Sequence, residues 1–210
     1  MLISDEKQFI FVHVRKAAGS SMRRVLRPYA VAKSSGRMNK LLSRAGLVRD
    51  YRRRWFRHHA ALSDAQQSMP ADRFRSYFKF AFVRNPWDRL VSEYEFLRGF
   101  PRHRRHQRAM QLSFPEFVRY QATRSDAYQF PMLCDRSGQV GMDFIGRFEN
   151  LQADFDHVCH MLRLEPIELP HANRGETRDP AEYYDAETIE FVRETWRDAV
   201  ELFGYTGPGK

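Results

Sequence analysis

Cysteine is scarce in this sequence, with Cys134 and Cys159 as the only two among 210 residues. They lie far apart in the chain and have no metal-ligand spacing, which favours free thiols in a reducing compartment over a disulfide. We therefore expect a cytoplasmic protein. No stretch reaches the roughly 18 apolar residues of a membrane-spanning helix. A predicted strand already begins at Phe9, so we expect neither a secretion signal nor a membrane anchor.

Acidic residues are too few to balance the basic ones, since 35 Lys and Arg against 26 Asp and Glu leave a formal net charge of +9. Lysine itself is uncommon, so most of the cations are guanidinium groups, which suit two-point binding of phosphate, sulfate or carboxylate. Such a charge favours an anionic cofactor, an acidic glycan or nucleic acid, whereas compositional bias with solvated helix faces is the plainer explanation. Basic clusters at 49–57 and 101–108 have no nucleic-acid-binding signature around them. We predict a basic acceptor groove and no nucleic-acid partner.

The nucleoside-triphosphate loop G-x-x-x-x-G-K-[ST] is also missing. The apolar stretch Phe9–Val14 is followed instead by Arg15-Lys16-Ala17-Ala18-Gly19-Ser20-Ser21. Here the lysine precedes the only glycine, and no metal-holding Asp ends a second strand, which argues against a magnesium-dependent kinase. Gly19 would let the backbone approach an oxyanion, and the positive end of the next helix would favour negative charge. The alternative is an ordinary strand-to-helix turn with a serine as N-cap.

A second strand-to-helix junction lies further along the chain. The apolar stretch Phe78–Val83 is followed by Arg84, and Ser92 lies eight residues later, just over two helical turns on. A guanidinium at the strand end and a hydroxyl on the next helix could hold one phosphate from two sides. The alternative is an arginine that caps a strand and a small serine that packs well. Two anion sites on one sheet imply a ligand with two separated anionic groups.

Strands alternate with helices along the chain, and there are no internal repeats. We predict strands at 9–14, 78–83 and about 143–147, and helices near 20–27, 86–97, 114–121 and 186–203. Ser63 with Gln66, and Ser113 with Glu116, have the spacing of helix-capping boxes. The pattern predicts an α/β fold with a mainly parallel central sheet and ligands at the carboxyl ends of its strands. We predict one domain over residues 1–210, with a basic helical insertion at about 37–57.

The two junctions resemble, almost residue for residue, those of the sulfotransferases that use 3′-phosphoadenosine 5′-phosphosulfate (PAPS), in the branch that sulfates carbohydrates. That branch reads F-[IV]-H-[IV]-P-K-x-[AG]-G-[ST]-S and F-x-F-V-R-[ND]-P-[WY]-x-R-x-x-S-x-Y. Segments at 145–151, 183–185 and 203–205 also match, and the resemblance spans roughly residues 8–205. It implies a three-layer, P-loop-like fold flanked by helices, PAPS as sulfuryl donor, no metal, and a glycan or glycoconjugate acceptor. Arg15 departs from the family, which usually has proline there, and could loosen the loop or add a phosphate contact.

The resemblance also implies which residues form the site. Lys16 would face the leaving phosphate oxygen, and Arg84 with Ser92 would hold the 3′-phosphate. The implied nucleotide-binding residues are Arg15, Lys16, Ala18, Gly19, Ser20, Ser21, Arg84, Ser92 and Arg174. Arg174 lies in a turn that resembles a late nucleotide-covering loop of the family, and a plain surface turn is an equal alternative.

The general base is predicted among the histidines. His59 opens a segment that resembles the stretch in which this branch often carries its base, and an imidazole suits proton uptake at neutral pH. We favour His59 over the neighbouring His58, with Glu93 and Glu95 as alternative bases. The plainer explanation is that both histidines lie on the surface beside the basic insertion.

Other functions and roles stay open at this point. His13 alternates with Phe9 and Phe11, so we predict a packed strand histidine. A phosphotransferase that uses a nucleoside triphosphate is one alternative function, and magnesium-dependent ATP turnover would reveal it. The other is a non-catalytic module that binds anions or glycans. The acceptor and the oligomeric state are not determined by the sequence.

Overall fold

A four-stranded sheet lies at the centre of one part of the molecule in a computed structural model that describes residues 1–31, 36–170 and 179–208. The strands are β1 (Leu2–Ser4), β2 (Phe9–Val12), β3 (Phe78–Val83) and β4 (Phe144–Arg147), in the spatial order β1-β2-β3-β4. β1 is antiparallel to β2, whereas β2, β3 and β4 are parallel to one another. The predicted mainly parallel sheet is confirmed, and the short strand β1 is an addition that the pattern did not predict.

The two central strands are continuous apolar stretches because both faces of a parallel sheet are covered. Every residue of β2 is buried, and so is every residue of β3 after Phe78. The register pairs Phe11 with Phe80, whose rings stack with centroids 5.2 Å apart. Because β2 and β3 run in the same direction, their carboxyl ends lie at the same edge of the sheet.

In the described residues, helices lie between the strands along the chain and also follow the last strand. They are α1 (Gly19–Leu26), α2 (Arg37–Arg44), α3 (Leu62–Ser68), α4 (Ala71–Ser76), α5 (Pro86–Arg98), α6 (His106–Gln111), α7 (Phe114–Ala122), α8 (Phe130–Leu133), α9 (Leu151–Met161), α10 (Ala186–Thr195) and α11 (Arg197–Phe203). Within 1–31, 36–170 and 179–208, no helix combines the length and the apolar character needed to cross a membrane.

The chain divides into two compact units. The first contains residues 1–83 and 130–170, and thus the sheet with α1–α4, α8 and α9. The second contains residues 84–129 and 179–208, with α5–α7, α10 and α11. Its core holds two fully buried tryptophans, Trp87 and Trp196. Trp196 separates α10 from α11, which the sequence predicts as a single helix. The assignment of one domain to the whole chain stays a prediction.

Two helix starts test the predicted capping boxes. The carboxylate of Glu116 accepts from the N–H and the hydroxyl of Ser113 at 2.8 and 2.7 Å, so the box at α7 is confirmed. The box at Ser63 is wrong, because α3 begins one residue earlier and Ser63 lies inside it. There the carboxylate of Asp64 accepts from the N–H of Ala61 at 2.9 Å. An acidic residue in the first turn therefore satisfies this helix start without a hydroxyl at the N-cap.

The basic insertion is helical only in its first part, α2, and residues 45–57 form turns and extended chain. Gly46, with φ of 74°, ends the helix. Its N–H donates to the carbonyl of Ser43 at 3.2 Å, and the N–H of Leu47 donates to that of Leu42 at 2.9 Å. This pair of bonds is a Schellman motif, which needs a left-handed residue and favours glycine. The predicted helical range of about 37–57 is therefore too long.

Candidate active site

The loop after β2 holds two non-glycine residues in the left-handed region of the backbone. Lys16 has a φ of 60° and Ala18 a φ of 55°. This conformation costs an L-residue about 1–2 kcal/mol, and such strain is concentrated at ligand-binding and catalytic sites. Left-handed residues in short loops also turn successive N–H groups towards a common point, which is the geometry of an anion-binding nest.

Helix α1 begins directly after this loop with an open N-terminus. Its N-cap, Ala18, offers no side-chain hydrogen bond, and its first turn contains no acidic residue. The N–H of Ser21 donates back to the carbonyl of Ala18 at 3.0 Å. Of the three predicted backbone donors, Ser21 therefore closes the first turn, whereas the buried Gly19 and the exposed Ser20 are the first two residues of the helix, where N–H groups have no intrahelical acceptor. The positive end of the helix dipole reinforces this as a place for an anion.

Gly19 has a different role from the one that its motif suggests. Its φ is not in the left-handed region, which the neighbouring Ala18 adopts instead. An ideal Cβ at Gly19 would lie 1.8 Å from Cδ2 and 2.2 Å from Nε2 of His13. The glycine is therefore needed because the imidazole of His13 fills the space that any side chain would occupy.

Three histidines lie together next to this helix start. The ring centroids of His13 and His59 are 4.6 Å apart, and that of His58 lies 5.9 Å from His13 and 6.0 Å from His59. Nδ1 of His59 is 2.9 Å from the carbonyl oxygen of His13. Because a carbonyl can only accept, Nδ1 carries the proton and Nε2 of the neutral ring is the basic atom. His58 is exposed, and its carbonyl accepts from the amino group of Met1 at 2.8 Å.

The surroundings keep the rings of His13 and His59 neutral. Burial lowers the pKa of His13 to about 2, with His59 as a further cause. Burial also lowers the pKa of His59 to about 4, and the positive charge of Arg15 acts in the same direction. The hydrogen bond with the carbonyl of His13 opposes this shift. At neutral pH His59 is therefore uncharged, and its Nε2 carries no proton.

Asp5 fixes the basic segment 49–57 to the sheet. Its carboxylate accepts from the hydroxyl of Tyr77 at 2.5 Å, from Nε of Arg52 at 2.6 Å and from the hydroxyl of Tyr51. Burial raises the pKa of Asp5, but these hydrogen bonds outweigh it and the net shift is downward. Arg52 thus has a structural role, and the segment that leads into His58 and His59 is held in place.

A polar cleft of about 290 Å³ lies between α2 and the chain just before the histidines. Its wall contains three guanidinium groups, two aromatic rings and one carboxylate. The lining residues are Ser43, Arg44, Arg54, Trp55, Phe56, Arg57, Ala60 and Asp64. Ala60, the residue that follows His59, is part of this lining. Its cations and aromatic rings suit a polar, negatively charged ligand.

In the second unit, one glutamine side chain holds the backbone of Arg84. The N–H of Arg84 donates to Oε1 of Gln129 at 3.0 Å, and Nε2 of Gln129 donates to the carbonyl of Arg84 at 2.8 Å. Gln129 is only 2% exposed. Because both groups of the amide are used, Gln129 determines the path of the chain at Arg84. No local pattern predicts this contact, since the two residues are far apart in the chain.

Helix α5 follows Arg84 and carries Ser92, which is half-buried. Oδ1 of Asn85 accepts from the N–H of Trp87 at 3.0 Å and caps the helix. The hydroxyl of Tyr184 donates to the carbonyl of Trp87 at 3.0 Å. The segment 183–185, which the sequence singled out by its resemblance, therefore stabilises the start of α5.

In the second unit, the structure changes the predictions for Glu93 and Arg105. Glu93 is buried and forms an ion pair with Arg105 at 3.0 Å, with side-chain exposures of 7% each. It is therefore engaged as a structural partner and is not available as a base. Arg105 is likewise withdrawn from the predicted acceptor groove, whereas its neighbour Arg104 is exposed. A buried pair of this kind is costly to break from either side.

The contacts above do not test every site residue that the sequence predicts. Arg174 lies outside the described residues, and so does the turn around it. No group of three or more metal-ligating side chains occurs within the described ranges. Sequence reasoning did not predict that the backbone carbonyl of His13 would orient the ring of His59. The burial of His13 was predicted from strand alternation, and its contact with His59 was not.

Comparisons with known proteins show which sequences this chain resembles. A model of the sulfotransferase family matches residues 1–206. Carbohydrate sulfotransferase 14 of Homo sapiens is 30% identical over 190 residues, which are 79% of this chain and 47% of that protein. An uncharacterized protein of Archaeoglobus fulgidus is 39% identical over 98 residues, which are 46% of this chain and 75% of that protein. The chain thus spans about half the length of the human relative.

A solved structure supports the fold. Mouse sulfotransferase SULT7A1, complexed with PAP, superposes with a TM-score of 0.61 over 98% of this chain and 91% of that one. The sequence identity is 14%. A likeness at this identity concerns the fold alone, and it confirms the predicted α/β, P-loop-like class with a mainly parallel sheet.

Proposed function

Because the chain belongs to the sulfotransferase family, we propose that it transfers a sulfuryl group from PAPS to a hydroxyl of a saccharide or glycoconjugate by in-line transfer. The name of the human relative, carbohydrate sulfotransferase 14, supports a carbohydrate acceptor. PAP, the nucleotide in the mouse SULT7A1 complex, is the product of PAPS and supports this donor. A cytoplasmic location stays a prediction.

The residues after β2 fit a phosphosulfate group. The backbone at Lys16 and Ala18 is left-handed, the N-terminus of α1 is uncapped, and its first turn has no acidic residue to repel an anion. Arg15 and Lys16 add two positive charges to the same loop. PAPS, when bound, supplies the sulfuryl group and leaves as PAP. Lys16 neutralises the phosphate oxygen from which the sulfur departs, and the N–H groups of Gly19 and Ser20 bind the anion.

His59 carries the proposal, because its tautomer leaves Nε2 as a proton acceptor next to this loop. In the transfer step the acceptor oxygen bonds to sulfur while the bond between sulfur and the phosphate oxygen breaks. Nε2 of His59 takes the proton of the acceptor hydroxyl, so that the charge developed on the acceptor oxygen is removed. The carbonyl of His13 holds the ring in the required tautomer and stabilises the imidazolium that forms.

The basic cleft next to the histidines supports a polar acceptor. Arg54 and Arg57 line it together with Trp55 and Phe56, so the wall combines cations with aromatic rings. Such a wall is poorly suited to an apolar phenol or steroid, which would leave the guanidinium groups desolvated without partners. We therefore place the acceptor hydroxyl at this side of His59.

Arg84 and Ser92 stay the predicted ligands of the 3′-phosphate. Gln129 determines the backbone position of Arg84, and the capped start of α5 determines that of Ser92. A charge-assisted bond from the guanidinium would supply most of the affinity for this group.

Calorimetry with PAP and with ATP, each in EDTA and in magnesium, tests the donor. We expect PAP to bind equally in both buffers and ATP to bind much more weakly. Transfer of label from radiolabelled PAPS is then measured on a panel of saccharides and phenols. Labelled saccharides support the proposal. Magnesium-dependent ATP turnover, or label on phenols alone, would overturn it.

A further inference from the structure

Helix α2 is attached to the first unit by its polar face. Nδ2 of Asn39 donates to the carbonyl of Arg53 at 2.8 Å. One turn later, the hydroxyl oxygen of Ser43 accepts from the N–H of Trp55 at 2.9 Å. Ser43 is the only buried residue of the helix. The contacts that hold α2 are thus hydrogen bonds to the backbone of the segment that follows it.

Two cations on the same side of the helix strengthen this attachment. Nζ of Lys40 lies 5.3 Å from the centroid of the Trp55 ring, and the guanidinium carbon of Arg44 lies 5.4 Å from it. A cation over the face of an aromatic ring is attracted by the negative charge of that face. The helix therefore contacts Trp55 through Lys40, Ser43 and Arg44.

The apolar face of α2 consequently points away from the protein. Met38, Leu41 and Leu42 follow the spacing i, i+3, i+4 that defines one helix face, and they are 66%, 63% and 36% exposed. The Schellman bond at the helix end brings Leu47, which is 70% exposed, back towards Leu42. Helices of soluble proteins normally bury such a face. Contiguous exposed apolar residues of this kind mark an interaction surface.

The charge around this face indicates the partner. From Lys7 to Arg49 the sequence contains no Asp or Glu. Arg37 and Arg44, both exposed, flank the apolar face of α2, and the exposed Arg49 follows it. Leucine and methionine on one side, with arginine and lysine beside them, are the composition of a helix that lies in the headgroup region of an anionic membrane.

We propose that α2 and Leu47 form a docking surface for a lipid bilayer that carries anionic headgroups. The apolar side chains enter the boundary between headgroups and acyl chains, while the flanking arginines contact lipid phosphates. A second copy of this chain is the less suitable occupant, because an α2-to-α2 contact would bring the cations of two helices together without an acidic residue on either. The apolar residues Met38, Leu41, Leu42 and Leu47 are not among the residues that line the cleft beside His59, so a test that substitutes them does not depend on sulfuryl transfer.

Flotation with vesicles tests the docking surface. The full chain is mixed with vesicles of phosphatidylcholine alone, or of phosphatidylcholine with phosphatidylglycerol. We expect binding to the anionic vesicles to be at least about tenfold stronger, since each basic residue near such a surface contributes about 1 kcal/mol. The double substitution Leu41→Glu with Leu47→Glu should reduce this binding by at least about tenfold, because it removes two apolar side chains and adds two negative charges.

The matched control is Leu202→Glu, a leucine of α11 that is 49% exposed. It changes the net charge in the same direction on a helix of the second unit and should retain most of the binding. All variants are checked for unchanged circular dichroism and for transfer to a soluble saccharide. Absence of binding to anionic vesicles at low salt would overturn the proposal, and so would equal binding of the Leu41/Leu47 variant. A dimer without lipid that is lost in the Leu41/Leu47 variant would assign the face to self-association instead.

Discussion

The imidazole of His13 packs directly on Gly19, so that a methyl group at position 19 would lie 1.8 Å from Cδ2 of the ring. This contact joins the end of β2 to the start of α1. Because the same histidine accepts the hydrogen bond of His59 with its carbonyl, one residue positions both the anion-binding helix end and the proposed base.

Gly19→Ala should destabilise the protein and disturb the site together. Real Cβ contacts essentially never fall below 3.0 Å, so the buried ring of His13 must move. We expect a loss of about 1–3 kcal/mol in the free energy of unfolding, the usual cost of overpacking, measured by urea denaturation. Gly36→Ala is the control, because a Cβ there meets nothing within 4 Å. Equal stability of the Gly19→Ala protein and the wild type would contradict the packing argument.

His59→Asn separates the positioning of the base from its chemistry. The amide nitrogen of asparagine can still donate to the carbonyl of His13, but the atom that takes the proton is gone. Turnover should fall by about 10²–10⁴, while calorimetry should find the affinity for PAP nearly unchanged. His58→Ala serves as the comparison and should retain activity. The opposite result, with loss only at His58, would move the base by one residue.

The pH dependence of turnover should reveal the pKa of His59. Burial, with the charge of Arg15 as a further cause, lowers this pKa to about 4. The base works only when it is unprotonated, so kcat/KM should be level near neutral pH and should fall as the pH drops through the pKa. Arg15→Gln removes one cause of the lowered pKa, so the acid limb should move to higher pH.

Arg15→Lys keeps the charge and is the matched control for that experiment. Its acid limb should stay close to that of the wild type, measured in buffers of constant ionic strength. If both Arg15 variants show the same acid limb, the charge of Arg15 does not act on His59.

Arg84→Ala should weaken PAP binding without any dependence on metal. Loss of a charge-assisted hydrogen bond costs about 1.5–3 kcal/mol, which is roughly a tenfold to hundredfold loss of affinity. Gln129→Leu should give a smaller loss, because the guanidinium remains while the two bonds that hold its backbone disappear. Arg104→Ala, at an exposed arginine, should leave PAP affinity unchanged. An unaltered affinity in folded Arg84→Ala protein would remove this residue from the site.

Lys16→Ala should affect turnover more than binding. The charge of Lys16 is expected to act on the leaving phosphate oxygen, and removal of one such group costs about 10²–10³ in rate. Lys16→Arg retains the charge and should recover part of the activity. Both variants keep a side chain at a position with φ of 60°, so backbone strain is similar in each. If binding and turnover fall by the same factor, Lys16 is only an anchor for the nucleotide.

Several features were predictable because they depend on neighbouring residues. The box of Ser113 with Glu116 is a contact within one helical turn, and the sequence predicted it correctly. At α3 the same reasoning chose Ser63, whereas the aspartate of the first turn satisfied the N–H of Ala61 instead. Ser63 and Asp64 each predict a different helix start, and only the packing of the folded chain decides which one forms.

The basic insertion illustrates the same limit. Its helical part and its charge were visible in the sequence, but its end at Gly46 required the left-handed backbone that the Schellman motif uses. The orientation of α2 was equally hidden. A helix with one apolar face is expected to bury it, and only the bonds of Asn39 and Ser43 show that the polar face is the attached one.

The sequence by itself determined the mainly parallel sheet and the two strand-to-helix junctions, because apolar stretches and the residues that follow them are local patterns. The tertiary structure alone decided why Gly19 is required, which nitrogen of His59 carries the proton, that Gln129 holds Arg84, and that Glu93 is paired with Arg105. Each of these depends on a contact between residues that are separated in the chain and meet only after folding. Hydrogen-bond direction and burial, which select the chemical state of a side chain, arise from such contacts.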